Sequence, residues 1–383
     1  MLRRLYVHNY KCLVNFEWRL DGLRTSLLIG KNGSGKSSIA DALMFFRDIG
    51  RGENDLAVLG KEDGFRLSPL ALWNGRRDSR EPMIFELDVE LDGVSFSYRL
   101  VLGFLETVQK LGVTEERLTK SGTTVYTRDV ATVHIAREKQ ADVLLGHDEH
   151  SVFLPTFQST GATDSAVNLF KAWLANMVIL APAPFLMTGQ PTDRHAPLKR
   201  TASNLADWVI RLQSDSEAAS QIGNYIREVF PDFKAFAIRK LDKDASYGPE
   251  YLFFRFYNEQ TSEVPFFLLS DGEKSFFLAA LLRASAALGK TSFCFWDEPD
   301  CHLATHEIGF LVRALRSLNG QSILASHQLE TIRQFSDEST FVLLRPTHLA
   351  PTRPPRTLAQ LRDEQELQGD LGYAILTGDL YGE

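Results

Sequence analysis

Gly30-Lys31-Asn32-Gly33-Ser34-Gly35-Lys36-Ser37 fits the pattern G-x-x-x-x-G-K-[ST]. Glycines at these spacings let the backbone curl so that successive N–H groups point at phosphate oxygens. Gly30, Asn32, Gly33, Ser34, Gly35, Lys36, Ser37 and Ser38 are therefore candidate phosphate ligands. Lys36 is placed to reach the β- and γ-phosphates, and Ser37 to ligate Mg²⁺. A second set of chemistry-bearing residues lies far along the chain. Phe293-Cys294-Phe295-Trp296-Asp297-Glu298-Pro299 is an apolar run ending in two carboxylates. Such a run reads as a buried parallel strand that delivers acid at its C-terminal edge. Asp297 is the candidate for the Mg²⁺ shell, and Glu298 the candidate to orient and deprotonate a water. The plain alternative is an ordinary strand followed by a turn. Ser322-Ile323-Leu324-Ala325-Ser326-His327 is a further apolar strand, and His327 at its end is a candidate γ-phosphate contact. Ser270-Asp271-Gly272-Glu273 has the S-x-x-E spacing of a helix capping box. A capped helix end is also an anion site, so Ser270 and Gly272 are candidates for phosphate contact as well. Gln158 is a further candidate for the Mg²⁺ shell.

The elements that must position these groups follow from patterning. Ser26–Ile29 is an apolar strand before the glycine loop, and Ile39–Met44 begins a helical pattern after it. Leu5–His8 and Val14–Trp18 read as strands around an Asn9-Tyr10-Lys11 turn. Phe85, Leu87, Val89 and Leu91 alternate with acidic residues, turn at Asp92-Gly93, and return through Val94, Phe96, Tyr98 and Leu100. That is a two-residue hairpin. A second hairpin is expected across Ser121-Gly122. Residues 48–80 read mostly as loop. Helices are expected at Ala166–Leu174, from a Ser203-Asn204 cap to Arg211, over Ser214–Phe230, over Ser275–Leu288 and over Thr305–Leu318. Met177–Leu180, Ala235–Leu241 and Tyr251–Tyr257 read as strands. The helix before Ser322 is of crossover length, which sets the His327 strand beside the Asp297 strand in a parallel sheet.

The totals are those of an ordinary globular chain: 383 residues, 44% apolar, 24% charged, net charge −7. That balance argues against a wholly basic nucleic-acid-binding surface but leaves room for a local patch. The basic clusters Arg76–Arg80 and Arg194–Arg200 leave nucleic acid open as a partner. Cys12, Cys294 and Cys301 lack metal-ligand spacing and are expected to be reduced, in a cytoplasmic protein. No apolar run approaches membrane-spanning length, and no signal peptide is read at the N-terminus.

The order of motifs resembles the ABC-type ATPase fold, and more closely its soluble SMC-like and OLD-like branch. Asn9-Tyr10-Lys11 is similar to the Asn-Phe-Lys turn of that branch, Leu269-Ser270-Asp271-Gly272 to its Ser-Asp-Gly signature, and Asp297-Glu298-Pro299-Asp300 to its Asp-Glu-Pro-Glu. Asn204-Leu205-Ala206 is similar too. The resemblance implies an α/β P-loop NTPase of ABC type, with a mixed sheet core, an antiparallel β subdomain and a helical lobe. It implies one ATPase domain over 1–345: a nucleotide-binding core at 1–47 and 260–345, a β insert at 48–149, and a helical lobe with return strands at 150–259. Residues 346–383 are a tail, with a short helix near Leu358–Gln365. The implied cofactors are ATP and Mg²⁺. The implied activity is ATP hydrolysis in a composite site: Ser270 and Gly272 of one subunit close on ATP held by another, so at least a homodimer is needed. The implied role is an ATP-gated clamp or sensor in DNA repair or anti-phage defence, with a separate, nuclease-like effector, since the tail is too short for a Toprim nuclease. The alternatives are the motor subunit of a membrane transporter, disfavoured by the long interval from Lys36 to Ser270, and a nucleotide-gated scaffold with little hydrolysis. Asp271 stands where the usual ABC-type signature, Leu-Ser-Gly-Gly, has a glycine. Two departures from the branch stand out: Leu303-Ala304-Thr305 stands where it usually has Leu-His-Pro, and His327-Gln328 where it often has His-Ser.

Overall fold

The computed structural model describes residues 1–20, 22–59, 81–105, 110–136, 142–157, 162–194, 196–241, 248–257, 262–364 and 374. The chain forms two compact units, Met1–Met177 with Ser336–Glu383, and Val178–Phe335.

The first unit begins with antiparallel β1 (Leu2–His8) and β2 (Phe16–Arg19). Residues Asn9 and Lys11 of the intervening turn take positive φ. Then come β3 (Thr25–Ile29) and α1 (Lys36–Gly50). An antiparallel meander follows: β4 (Met83–Leu91), β5 (Val94–Leu105), β6 (Lys110–Lys120), β7 (Thr123–Asp129), β8 (Thr132–Ile135) and β9 (Val143–Gly146). Together with β2 and β1 they make an eight-stranded sheet in the order β2-β1-β4-β5-β6-β7-β8-β9. Both expected hairpins are present: β4 and β5 pair Leu91 with Val94, and β6 and β7 pair Lys120 with Thr123. Asp92-Gly93 and Ser121-Gly122 all have positive φ, the backbone that matches strand twist. Alternation then divides the sheet. Phe85, Leu87, Tyr98 and Leu100 are buried. Arg4 and Arg99 both pair with Glu86 on the other face. The helix α1 packs Phe45 against Phe85 at 4.9 Å between ring centroids. Each such fully buried ring contributes roughly 1.5–3 kcal/mol. α2 (Ala162–Ala175) meets the C-terminal end of α1. A Cβ on Gly50 would lie 2.4 Å from that of Leu174, so only glycine permits this approach.

The second unit holds β10 (Met177–Leu180), α3 (Leu205–Gln213), α4 (Ser216–Val229), β11 (Phe233–Lys240), β12 (Glu250–Phe256), β13 (Ser262–Pro265), α5 (Asp271–Ala287), β14 (Phe293–Asp297), α6 (Thr305–Arg316), β15 (Gln321–Ala325) and α7 (Leu329–Ile332). β11, β12 and β13 form an antiparallel sheet. Its Phe233, Phe254 and Phe236 join Phe266 and Phe277 in one aromatic cluster, with Phe254 and Phe277 at 4.7 Å. β14 and β15 are parallel, register Phe293 to Gln321, as the crossover helix demands. α4 corrects the sequence expectation at its start. Its cap is Asp215, whose carboxylate accepts from Glu217 N and Ala218 N, while Ser214 donates back to Arg211 O. Asn204 precedes α3 but does not cap it through its side chain; that amide binds Lys199 N and Pro197 O instead.

The chain returns to the first unit with β16 (Thr340–Val342), parallel to β3, then β17 (Arg356–Thr357) and α8 (Leu358–Asp363). Among the described residues no helix is long and apolar enough to cross a membrane.

Candidate functional site

In the first unit the glycine loop joins β3 to α1. Gly33 and Gly35 have φ of +79° and +115°. A Cβ on Gly35 would sit 2.8 Å from Thr352 Oγ1 and 3.1 Å from Cys12 Sγ, so glycine is required twice over, by φ and by space. Lys36 is buried and curls back, donating from Nζ to Gly30 O at 2.7 Å and to Lys31 O at 3.3 Å. A phosphate entering the loop offers this ammonium a charged acceptor in place of two carbonyls, which is the stronger bond. Ser34 Oγ is buried with no hydrogen-bond partner among the described residues. An orphaned buried hydroxyl in a glycine-rich loop fits a phosphate oxygen as its partner. Ser37 lies in the first turn of α1, and Ser38 Oγ accepts from Cys12 Sγ at 3.5 Å. Asn32 is exposed at the rim.

The loop is held by residues that the sequence did not single out. Arg345 donates to Gly33 O at 3.0 Å and also to Ala350 O and His348 O. Thr352 donates from Oγ1 to Ser34 O at 2.7 Å and from its backbone to Cys12 O at 2.8 Å. The segment after β16, expected to be a plain loop, is thus a strap over the phosphate loop. Between strap and loop lies a cavity of about 380 Å³ lined by Lys31, Asn32, Gly33, Arg345 and His348.

In the second unit β14 ends at Asp297, whose Oδ2 lies 3.9 Å from the Arg200 guanidinium, both side chains largely buried. Arg200 belongs to the basic cluster read from sequence, and its place beside Asp297 is new. Glu298 takes φ +53°, a left-handed conformation for a residue with a Cβ. Its N–H donates to Ala325 O at 2.8 Å, which ties it to the end of β15. His327 follows that strand, and its Nδ1 lies 3.4 Å from Glu298 Oε1. Carboxylate and imidazole therefore meet at a half-exposed edge, where a water bound to one is within reach of the other.

Ser270 caps α5. Its Oγ accepts from Glu273 N, and Glu273 Oε2 accepts from both Ser270 N and Ser270 Oγ. The capping box is present, and the helix end it orders remains an anion site. A Cβ on Gly272 would lie 3.2 Å from His302 O, so the signature turn packs closely on the segment after β14. Asp271 turns toward Lys274 at 3.7 Å and His302 at 3.8 Å. A carboxylate facing a triphosphate would be repelled, but the charge of Asp271 is met within its own chain. Desolvation first, then the carboxylates of Glu298, Asp300 and Asp271, push the Cys301 thiol up from its ordinary value. At the altered Leu303-Ala304-Thr305 stretch, Ala304 N–H is met by Glu307 Oε2 at 2.9 Å, so α6 is still capped from inside. Gln158 and the Arg76–Arg80 cluster lie outside the described residues. Arg194 is exposed and paired with Glu250 at 3.0 Å.

Comparison with known proteins bears on the fold that carries these residues. Residues 1–74 match the family model "AAA ATPase domain". Residues 186–333 match the model "AAA domain, putative AbiEii toxin, Type IV TA system". No curated protein matches the chain. Among solved structures, an SmcHead bound to the C-winged helix domain of ScpA is 13% identical, covers 94% of this chain and 99% of its own, and superposes with a TM-score of 0.54. An SMC head domain from Thermotoga maritima is 14% identical, with 93% and 99% covered and a TM-score of 0.46. The Smc head domain from Pyrococcus furiosus, bound to the C-terminal domain of ScpA, is 12% identical, with 95% and 98% covered and a TM-score of 0.49. The fold is that of the ABC-type P-loop ATPases, as in SMC heads. The two matched segments are thus similar to AAA-type ATPase domains, and the fold that carries them is similar to that of an SMC head.

Proposed function

We propose that the chain hydrolyses ATP, by in-line attack of water on the γ-phosphate, in a site closed by a second copy of itself. The observation that carries this is the pair of Glu298 and His327, 3.4 Å apart, with Glu298 held in a left-handed conformation at the end of β14. Residues forced into sparsely populated φ cluster at working sites. The loop from Gly30 to Ser38 binds the triphosphate, with Lys36 moving from its carbonyl partners to the β- and γ-phosphates. Ser37 and Asp297 would each be a candidate ligand for Mg²⁺, which when bound would neutralise charge at the phosphate oxygens. Glu298 takes the proton of the attacking water, and His327 hydrogen-bonds the transferring phosphoryl group. Ser270 Oγ and the Gly272 N–H reach the γ-phosphate of the ATP bound by the other copy, and binding energy goes into that closure.

The wider role follows from the resemblance: an ATP-gated clamp that controls an effector in DNA repair or anti-phage defence. The description matched by residues 186–333 names a putative toxin of a Type IV TA system, which is compatible with control of an effector. The ScpA domain bound to one similar SMC head is a precedent for a protein effector docked on this fold. Phosphate release by purified protein tests the enzymatic reading. The wild-type chain should turn over Mg-ATP, Lys36→Ala should lose nucleotide binding, and Glu298→Gln should bind ATP yet turn over at least about 100-fold more slowly. Wild-type turnover equal to that of both variants would reject it.

A further inference from the structure

Asp300 is a carboxylate that the proposed chemistry does not use, and it is only 1% exposed. It sits two residues after Glu298, in the turn that follows β14. One carboxylate oxygen, Oδ2, accepts from two hydroxyls, Ser326 Oγ and Thr331 Oγ1. The other, Oδ1, is buried with no partner among the described residues. Ser326 directly precedes His327 and is fully buried, as is Thr331 in α7. Ser326 Oγ in turn accepts from Gln328 N at 3.0 Å, and Gln328 Nε2 donates to the backbone carbonyl of Asp300 at 3.1 Å. Gln328 is the residue that departs from the family's His-Ser pair, and here its amide closes the same network. The turn carrying Glu298 and the segment carrying His327 are therefore joined by three side-chain bonds on their buried side. The Glu298–His327 contact forms on the exposed side of that joint.

We propose that Asp300 is a positioning residue for hydrolysis: its carboxylate, through Ser326 and Thr331, sets His327 at its distance from Glu298. This rests on the ATP-hydrolase reading above. Bonds to an ionised acceptor are shorter and about twice as strong as neutral ones, and both hydroxyls converge on one oxygen, so the joint has little freedom. An active-site pair displaced by about 1 Å loses rate far more than binding. A merely structural role predicts lower stability with kcat unchanged at a temperature where the protein is folded.

The test uses two conservative variants, Asp300→Asn and Thr331→Val, neither of which removes a group that touches substrate. Steady-state ATP hydrolysis is measured at saturating Mg²⁺. In parallel, the His327 ring resonance, assigned through His327→Gln, is recorded in nucleotide-free protein. Both variants should lower kcat about tenfold with KM for ATP changed less than about twofold, and both should displace the His327 resonance. Wild-type kcat, or an unmoved resonance, overturns the proposal. A wild-type protein that turns over no ATP defeats the hydrolase reading instead. The resonance then decides alone whether Asp300 positions His327: displacement supports the proposal and no displacement overturns it.

Discussion

Glu298 pays for its position in backbone strain. A residue with a Cβ at φ +53° loses about 1–2 kcal/mol relative to the right-handed region. That yields a stability test independent of catalysis. Glu298→Ala and Glu298→Gly both remove the carboxylate, but only glycine is at ease at this φ. Glu298→Gly should melt above Glu298→Ala in a thermal scan, by about 1 kcal/mol in unfolding free energy. The reverse order would show that the left-handed conformation is absent in solution. At this scale the sequence was informative where chemistry restricts residue type. Gly35, Lys36, Asp297 and Glu298 could be picked out because a phosphate cradle and a carboxylate-tipped strand tolerate few substitutes. Thr352, Arg345 and Cys12 could not. Each holds the loop through an ordinary hydrogen bond, and Thr352 and Arg345 come from more than 300 positions away. Asp300, Ser326 and Thr331 were equally silent, since a buried hydroxyl–carboxylate joint leaves no local spacing.

Among elements, the meander of the first unit is stapled by Glu116 on β6. This fully buried carboxylate accepts from Tyr98 OH at 3.0 Å, Tyr126 OH at 2.7 Å, Phe153 N at 2.7 Å and Leu154 N at 2.9 Å, with Arg128 at 3.5 Å. Arg128 in turn binds the carbonyls of Val130, Asp148 and Ser151. The network fastens the 148–154 segment to the sheet. Glu116→Ala should cost about 3–5 kcal/mol by denaturant titration, because it leaves Arg128 buried without its counter-charge. A loss below about 1 kcal/mol would mean the network is open to solvent. Burial, then the charge of Glu116, pushes both tyrosines well above their ordinary value of 10.0. In the folded protein they keep their protons above pH 10, while the unfolded chain loses them. Their contribution is therefore whole below about pH 10 and declines as pH rises beyond it. Unfolding free energy measured at rising pH should fall from that point, less steeply in Tyr126→Phe. The two early hairpins were readable because Asp92-Gly93 and Ser121-Gly122 announce left-handed turns. The strands β8 and β9 were not, because the turn into β8 is made at Val130, a β-branched residue at φ +44° that no composition signal marks. The start of α4 was missed by two residues because Ser214 and Asp215 are both acceptable caps, and only the structure shows that Asp215 takes the N–H groups.

For the whole molecule the motif order gave the class of fold correctly, and the SMC-head likeness agrees with it. The order of motifs does not carry the identity of an effector, since a docking surface needs no fixed residue types. What the chain does contain, once each, is a phosphate loop and a signature turn. In the proposed reaction two copies are therefore needed for one closed site. The direct measurement is the solution mass of Glu298→Gln by analytical ultracentrifugation, with and without Mg-ATP. With the base removed, the closed state should persist, so ATP should raise the mass to at least that of a dimer, and the added Ser270→Arg substitution should abolish the rise. An unchanged mass with ATP demonstrably bound would contradict the composite site and leave Ser270 as a helix cap.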